Sequence, residues 1–286
     1  MKYARKIRMT GYIAALFLCG VLASNGASTA PQYPYPGITY YTETRTNPPM
    51  HLFIAEVDLT NPKVHVRVAP GGPDPDGPGK WQTTLMRPTQ VANRENFDLV
   101  VNGDFFAARN IKDAEGTNSR YAGDIWASVS GSAVSDGKAW SQSVSNRPCL
   151  VVHKDKSVDI EMLSHPAADD WEVIAGNEIL VKDGKPMPHR SKTRNPRTAV
   201  GLDASGTKLI ILVVDGRKPG VSIGMGYEEM GAEMARLGCH QALNLDGGGS
   251  SVMAVRDPSN GEMRILNVPS DGHERPVANT LGISVN

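Results

Sequence analysis

The stretch Asn244-Leu245-Asp246-Gly247-Gly248-Gly249-Ser250-Ser251 sets an amide, a carboxylate, three glycines and two hydroxyls in one short run. Asn244 and Asp246 flank Leu245, so at the two-residue period of a strand they point to the same face. Three consecutive glycines add nothing to a core and cost backbone entropy on ordering. They imply positive φ or a close approach of backbone to a ligand. Apolar Ala242, Leu243 and Leu245 lead in and Val252 to Val255 lead out, giving buried strand, tight turn, buried strand. A glycine-rich hairpin capped by Asp246 is the plain alternative. Two other apolar runs also end abruptly in polar residues. Phe97-Asp98-Leu99-Val100-Val101 delivers Asn102-Gly103-Asp104-Phe105-Phe106, which suits a site floor as well as a turn. Lys208 to Val214 delivers Asp215-Gly216-Arg217. Carboxylates at strand ends are candidates for acid, base or nucleophile work.

The elements that must position these residues read as a mostly β chain. Residues 24–50 are rich in Ser, Thr, Pro, Tyr and Asn without periodicity and read as a flexible N-terminal arm. The domain then starts near His51. His51 to Leu59 and Val64 to Val68, on either side of Asn61-Pro62, read as a hairpin. Pro70 to Gly79 is a Pro- and Gly-rich surface loop. Thr83 to Asn96 is a helix candidate interrupted by Pro88, and Arg109 to Gly123 is a polar loop able to lie over the site. From Ala133 to Lys185, short apolar runs at Leu150, Val158 and Ile179 read as an antiparallel meander. Asn195 to Leu202 and Lys208 to Val214 form a hairpin about Asp203-Ala204-Ser205-Gly206. Tyr227 to Leu237 is the clearest helix, with Tyr227, Met230, Met234 and Leu237 on one face and Gly238 as its stop. Glu229, in its first turn beside the Gly220 to Gly226 loop, is a further carboxylate candidate, whereas Glu233 is expected on a solvated face near Arg236. Arg275 to Val285 adds a final strand. The expected fold is α+β: mixed, largely antiparallel sheets with few helices around one core.

Composition narrows the function class. The chain has 286 residues, with 30 basic and 30 acidic side chains balancing to zero net charge. That balance argues against a nucleic-acid partner, which would need a basic patch. Lys2, Arg5, Lys6 and Arg8 precede an apolar run from Gly11 to Ala23 that falls short of the roughly 20 residues of a membrane span. Residues 1–23 read as a signal peptide, so an exported protein, periplasmic or secreted, is expected. A lipid anchor at Cys19 is disfavoured by bulky Leu18 in front of it. Cys149 and Cys239 remain, either paired or as two buried thiols.

The order of Asn102-Gly103-Asp104-Phe105-Phe106, Asn195-Pro196-Arg197-Thr198-Ala199-Val200-Gly201, Asp215-Gly216-Arg217, the helix with Glu229, Asn244 to Ser251 and Arg275-Pro276-Val277-Ala278-Asn279 resembles that of the phosphodiester glycosidases. The resemblance covers roughly residues 50 to 286 and is most specific between 195 and 255. Asp104 departs from it, standing where a second glycine is expected and adding a carboxylate. The resemblance implies a phosphodiester glycosidase-like domain over 51–286 that hydrolyses the bond between a sugar's anomeric carbon and a phosphodiester. It implies Asp246, Asp215 and Glu229 as catalytic candidates. Asn102, Gly103, Asp104, Arg197, Arg217, Asn244, Gly247, Gly248, Gly249 and Ser250 are the substrate-binding candidates. Guanidinium forks suit a phosphodiester, and N–H groups of a glycine turn make an anion nest. A structural ion pair is the equal alternative for Arg197. The expected partner is a carbohydrate phosphodiester, with no cofactor required. Two other classes stand beside this reading. One is a metal-dependent phosphodiesterase with Asp104, Asp215 and Asp246 holding a hard divalent cation such as calcium. The other is a non-catalytic binding or export factor for phosphorylated exopolysaccharide.

Overall fold

A computed structural model describes residues 26–109, 121–142 and 145–286. The signal segment, Cys19 and most of the Arg109 to Gly123 loop lie outside the described residues. Among the described residues two α-helices stand against four antiparallel sheets, an α+β architecture. No helix among them is long and apolar enough to cross a membrane.

The largest sheet runs in the order Gly26–Ser28, Ile38–Thr46, Pro49–Asp58, Lys208–Val214, Arg197–Leu202, Gln241–Asn244, Glu178–Lys182 and Lys185–Pro186, with Gln32–Tyr35 attached to Ile38–Thr46. Its centre is apolar on both faces. Leu209, Ile211 and Val213 enter one core, while Ile210, Leu212 and Val214 enter another, so Lys208–Val214 is a strand buried on both sides. The first core lies between this sheet and two others. One contains Leu99–Asn102 between Met253–Arg256 and Asn279–Val285, with Met263–Ile265 and Val64–Pro70 at its edges. The other places Asp170–Ala175 between Ala133–Ser135 and Arg147–His153, with Lys138–Ser141 and Val158–Leu163 outermost. Helix Tyr227–Arg236 closes the second core with Met230 and Met234. Truncating a fully buried side chain such as Ile211 here should cost about 2–5 kcal/mol.

Several local expectations are corrected by long-range pairing. Residues 26–46 contain three strands rather than a loose arm, the Thr- and Tyr-rich Ile38–Thr46 pairing residue by residue with Pro49–Asp58. His51 to Leu59 and Val64 to Val68 do not form a hairpin. The first pairs with Lys208–Val214 and the second with Asn279–Val285, since each finds a longer apolar partner elsewhere. Pro88 opens helix Pro88–Glu95 instead of interrupting it, its missing N–H being harmless at the first helical position. The meander is antiparallel but not sequential, and Glu178–Lys182 leaves it for the large sheet. The hairpin of Arg197–Leu202 with Lys208–Val214 forms, its turn held by Asp203 Oδ1 accepting the N–H groups of Thr207 and Lys208 at 2.9 Å each. Cys149 and Cys239 are both free and buried, and burial pushes each thiol up to about 12. Glu233 is only 4% exposed and bonds Arg45 Nη2 at 2.7 Å and Arg236, tying the helix to the strand the arm was not expected to contain.

Candidate active site

The glycine turn joins sheets instead of closing a hairpin. Gln241–Asn244 belongs to the large sheet and Met253–Arg256 pairs with Leu99–Asn102 in another, so residues 245–252 cross between them. The crossing brings Asp246 to Asn102. The Asp246 N–H donates to the Gly103 carbonyl at 2.9 Å, and Asn102 Nδ2 donates to the Asp246 carbonyl at 2.7 Å. Asn102 Oδ1 in turn accepts from the Thr198 hydroxyl at 2.7 Å and the Val252 N–H at 3.2 Å. Asn102 therefore fixes the turn with both ends of its amide. Gly103 is required by packing, since a Cβ there would stand 2.3 Å from Asn279 Oδ1. Asn244 is fully buried and donates to Asn177 Oδ1 at 2.8 Å, and Asn177 donates to the Tyr227 hydroxyl at 2.9 Å.

Asp246 is half-buried as a residue, and its carboxylate is closely surrounded by protein. Oδ1 accepts the Gly247 N–H at 2.8 Å, and the Ser250 hydroxyl lies beside the same group without a well-aligned bond. Burial pushes its pKa up to about 6, against the opposing pull of Ser250, Gly247, Arg275 and Arg197. Asp104 is more deeply enclosed, at 2% exposure, and burial pushes it to about 8 despite Arg147 and the Gly131 N–H 2.6 Å from Oδ2. Its Oδ1 has no hydrogen-bond partner among the described residues. The Asp246 charge adds to the rise at Asp104, and burial drives the proton affinities of the two carboxyl groups upward by unequal amounts.

Two guanidinium groups lie against the turn. Arg217 holds φ at 61°, a left-handed conformation that costs an arginine about 1–2 kcal/mol. Its Nε and Nη2 donate to Asn195 Oδ1 at 3.2 and 3.1 Å, and it has no carboxylate partner among the described residues. A Cβ on Gly248 would come within 2.8 Å of Arg217 Nη2. Arg275 bonds Asp271 through Nε at 2.8 Å, stacks 4.2 Å over Tyr121, and would meet a Cβ on Gly249 at 2.0 Å. Tyr121 itself packs edge-on against Phe106. Arg275 was not singled out as a site residue from sequence. The signal was its place in Arg275-Pro276-Val277-Ala278-Asn279. Arg197 forms no ion pair among the described residues: its guanidinium donates to the carbonyls of Met225 and Thr193 at 3.0 and 3.1 Å and stacks 4.1 Å over Tyr227, and its charge still acts to lower the Asp246 pKa.

Two other candidates, Glu229 and Asp215, are bonded within the protein. Glu229 accepts the Gly226 N–H at 3.0 Å and pairs with Arg194, closing the helix start as a capping carboxylate. Asp215 is 3% exposed, and its oxygens accept Asn267 Nδ2 at 3.1 Å and the Val268 N–H at 3.1 and 3.2 Å. Burial raises its pKa even so. Asn267 also donates to the Ser251 carbonyl, so Asp215 braces the turn from behind. Asp104, Asp215 and Asp246 do not gather into a chelating set. Among the described residues the His, Cys, Asp and Glu side chains that do so are His153, Asp159 and Glu161.

The family model for phosphodiester glycosidases matches residues 95–284. The SPbeta prophage-derived uncharacterized protein YomE of Bacillus subtilis is 37% identical over 141 residues, 47% of this chain and 20% of that protein, so the chain spans about a fifth of that relative's length. The catalytic domain of zebrafish N-acetylglucosamine-1-phosphodiester alpha-N-acetylglucosaminidase, auto-inhibited by its pro-peptide, superposes with a TM-score of 0.64 at 20% identity, covering 91% of this chain and 88% of that one. A putative exported protein of Burkholderia pseudomallei gives 0.65 at 14% identity over 98% of this chain and all of its own. These two likenesses show the fold, and the family match, spanning most of the chain, shows that the protein belongs to the phosphodiester glycosidase family.

Proposed function

We propose that the protein is an exported hydrolase that cleaves the bond between a sugar's anomeric carbon and a phosphodiester in a glycan or glycoconjugate. The observation that carries the reading is Asp246, a carboxylate in a glycine turn flanked by Arg217 and Arg275. The two guanidinium groups and the turn suit the phosphate, and the carboxylate suits the anomeric carbon. Asp246 acts on that carbon directly or on its attacking water. The anomeric C–O bond breaks, its electron pair leaves on the phosphate oxygen, and water supplies the new hydroxyl. Products are a free reducing sugar and a phosphomonoester. Good phosphate departure lessens the need for a strong general acid. Asp215 and Glu229, both bonded within the protein, act as supports for the turn and the helix. Export is supported by the basic then apolar N-terminus and by the description of the Burkholderia relative.

The test uses a panel of sugar 1-phosphodiesters and identifies both products. Asp246→Asn should lower turnover by about two decades or more, the scale of positioned acid and base groups, with thermal unfolding near wild type. A sugar phosphate plus an alcohol would make the protein a phosphodiesterase, and no product from any diester would make it a binding protein.

A further inference from the structure

At the opposite end of the strand that begins beside Asp104, three metal-ligating side chains converge on one sheet face. Arg147 and His153 open and close the same strand, so by the rise of a β-strand this second cluster lies about 20 Å from the Asp104 end. Asp159 and Glu161 are two residues apart on Val158–Leu163 and share a face. His153 Nε2 stands 3.3 Å from Asp159 Oδ2 and 3.5 Å from Glu161 Oε1. A tetrahedral zinc with bonds of about 2.0–2.1 Å holds its ligands about 3.3–3.4 Å apart, so two of the three separations already match an occupied shell. All three donor atoms lie within 4.8 Å of one another.

A second observation concerns what stands behind the imidazole. Asp170 pairs with His153 across the neighbouring strand, and its side chain is only 4% exposed. Asp170 Oδ2 accepts the Ala167 N–H at 2.7 Å, which fixes the carboxylate, and Oδ1 lies 3.2 Å from the buried His153 Nδ1, in contact but not aligned as a hydrogen bond. Nδ1 is thus a buried, unpartnered ring nitrogen beside a fixed carboxylate, and a small turn of the ring on binding a metal through Nε2 would align the two, the arrangement that supports most metal-bound histidines. Charge points the same way. Among the described residues neither Asp159 nor Glu161 pairs with a lysine or arginine, and the nearby Lys154 ammonium lies 6.0 Å over the Trp171 ring. An imidazole with carboxylates favours a zinc-type ion over calcium, which prefers oxygen alone.

We propose that His153, Asp159 and Glu161 bind one divalent transition-metal ion of the zinc class, with Asp170 orienting His153 and water completing the shell. The ion would cross-link Arg147–His153 to Val158–Leu163, with Asp170–Ala175 behind, stabilising the sheet without taking part in hydrolysis. The site is independent of the glycine turn, so its failure and a failure of the proposed activity are separable.

Calorimetry with zinc and visible absorption with cobalt(II) on untagged, metal-stripped full chain provide the test. One equivalent should bind at micromolar strength or tighter, with a tetrahedral cobalt band and a raised melting temperature. His153→Gln should weaken binding by at least about 100-fold, and Asp170→Asn by about 10–100-fold. Glu161→Gln, at an exposed position, should weaken it too and guards against misfolding of the buried variants. Absence of binding below millimolar zinc, or wild-type binding by His153→Gln or Glu161→Gln, would overturn the proposal and leave the cluster as an ion-paired histidine.

Discussion

Replacing Gly249 by alanine should uncouple substrate binding from folding, and the structure gives the size of both effects. A Cβ at this position would stand 2.0 Å from Arg275 Nη2, 2.4 Å from Cζ and 2.4 Å from Asp271 Oδ1. Something must move, and the obstacles are the flexible ends of two side chains, so the guanidinium swings off the turn while the backbone stays. Gly249 does not occupy the left-handed region, so no conformational strain adds to this. The stability cost is that of local overpacking and a weakened ion pair, about 1–2 kcal/mol, or a few degrees of melting temperature. If Arg275 holds the phosphate, a charge-assisted hydrogen bond of about 1.5–3 kcal/mol is lost, and kcat/KM falls by roughly 10- to 150-fold. Gly248→Ala provides the contrast. At φ 63° it adds about 1–2 kcal/mol of left-handed strain and also crowds Arg217 Nη2 at 2.8 Å, so it should melt lower as well as bind worse. Steady-state kinetics on a sugar 1-phosphodiester, with thermal melts in parallel, read both quantities. A folded Gly249→Ala protein with kcat/KM within twofold of wild type would remove Arg275 from the phosphate site.

Arg217→Gly should relieve the left-handed arginine, raising the melting temperature while kcat/KM falls by an order of magnitude or more; a loss of both would mean the residue is structural. Because Asp246 must be ionised to serve as base or nucleophile and titrates at about 6, kcat/KM should rise about tenfold per pH unit below that value and level off above it. A limb near pH 4 would point to an exposed carboxylate instead. Asp104 is raised from 3.8 to about 8 on folding, so the folded state keeps a proton that the unfolded chain releases, and stability falls as pH climbs through that window. Asp104→Asn should therefore melt progressively higher than wild type between pH 4 and pH 7.5, and parallel curves would contradict the buried neutral acid. Thiol titration after denaturation without reductant should find Cys149 and Cys239 both reactive, with no loss of stability in reductant.

What was legible in the sequence was local exception: three glycines beside Asp246, Asn-Gly after a buried strand, charged residues closing Lys208–Val214. Each marks a place where strand chemistry stops for a reason other than packing. What was not legible was which exceptions meet. Asp215 and Asp246 look alike in sequence, yet Asp215 faces the Asn267 amide and the Val268 N–H, partners supplied from a loop more than fifty residues away. Glu229 resembles a site carboxylate until Arg194 and the Gly226 N–H are in place. Arg197 illustrates the converse, a fork suited to an anion that is used on two carbonyls and a tyrosine ring. The strand misassignments share one cause. Val64–Pro70 follows Pro49–Asp58 closely enough for a hairpin, but both patterns are satisfied by any apolar antiparallel partner, and burial selects the distant ones. Composition misled at Ile38–Thr46, where Thr and Tyr read as polar filler although both favour strands.

The central claim is that the bond broken joins the anomeric carbon to the bridging oxygen, with Asp246 acting on the carbon side. Turnover of a sugar 1-phosphodiester in heavy-oxygen water tests it most directly, with the phosphomonoester product read by mass spectrometry. Attack at carbon predicts that the phosphate product contains no solvent oxygen, and that Asp246→Asn abolishes its formation in a folded protein. Heavy oxygen in the phosphate would mean attack at phosphorus and would contradict the account.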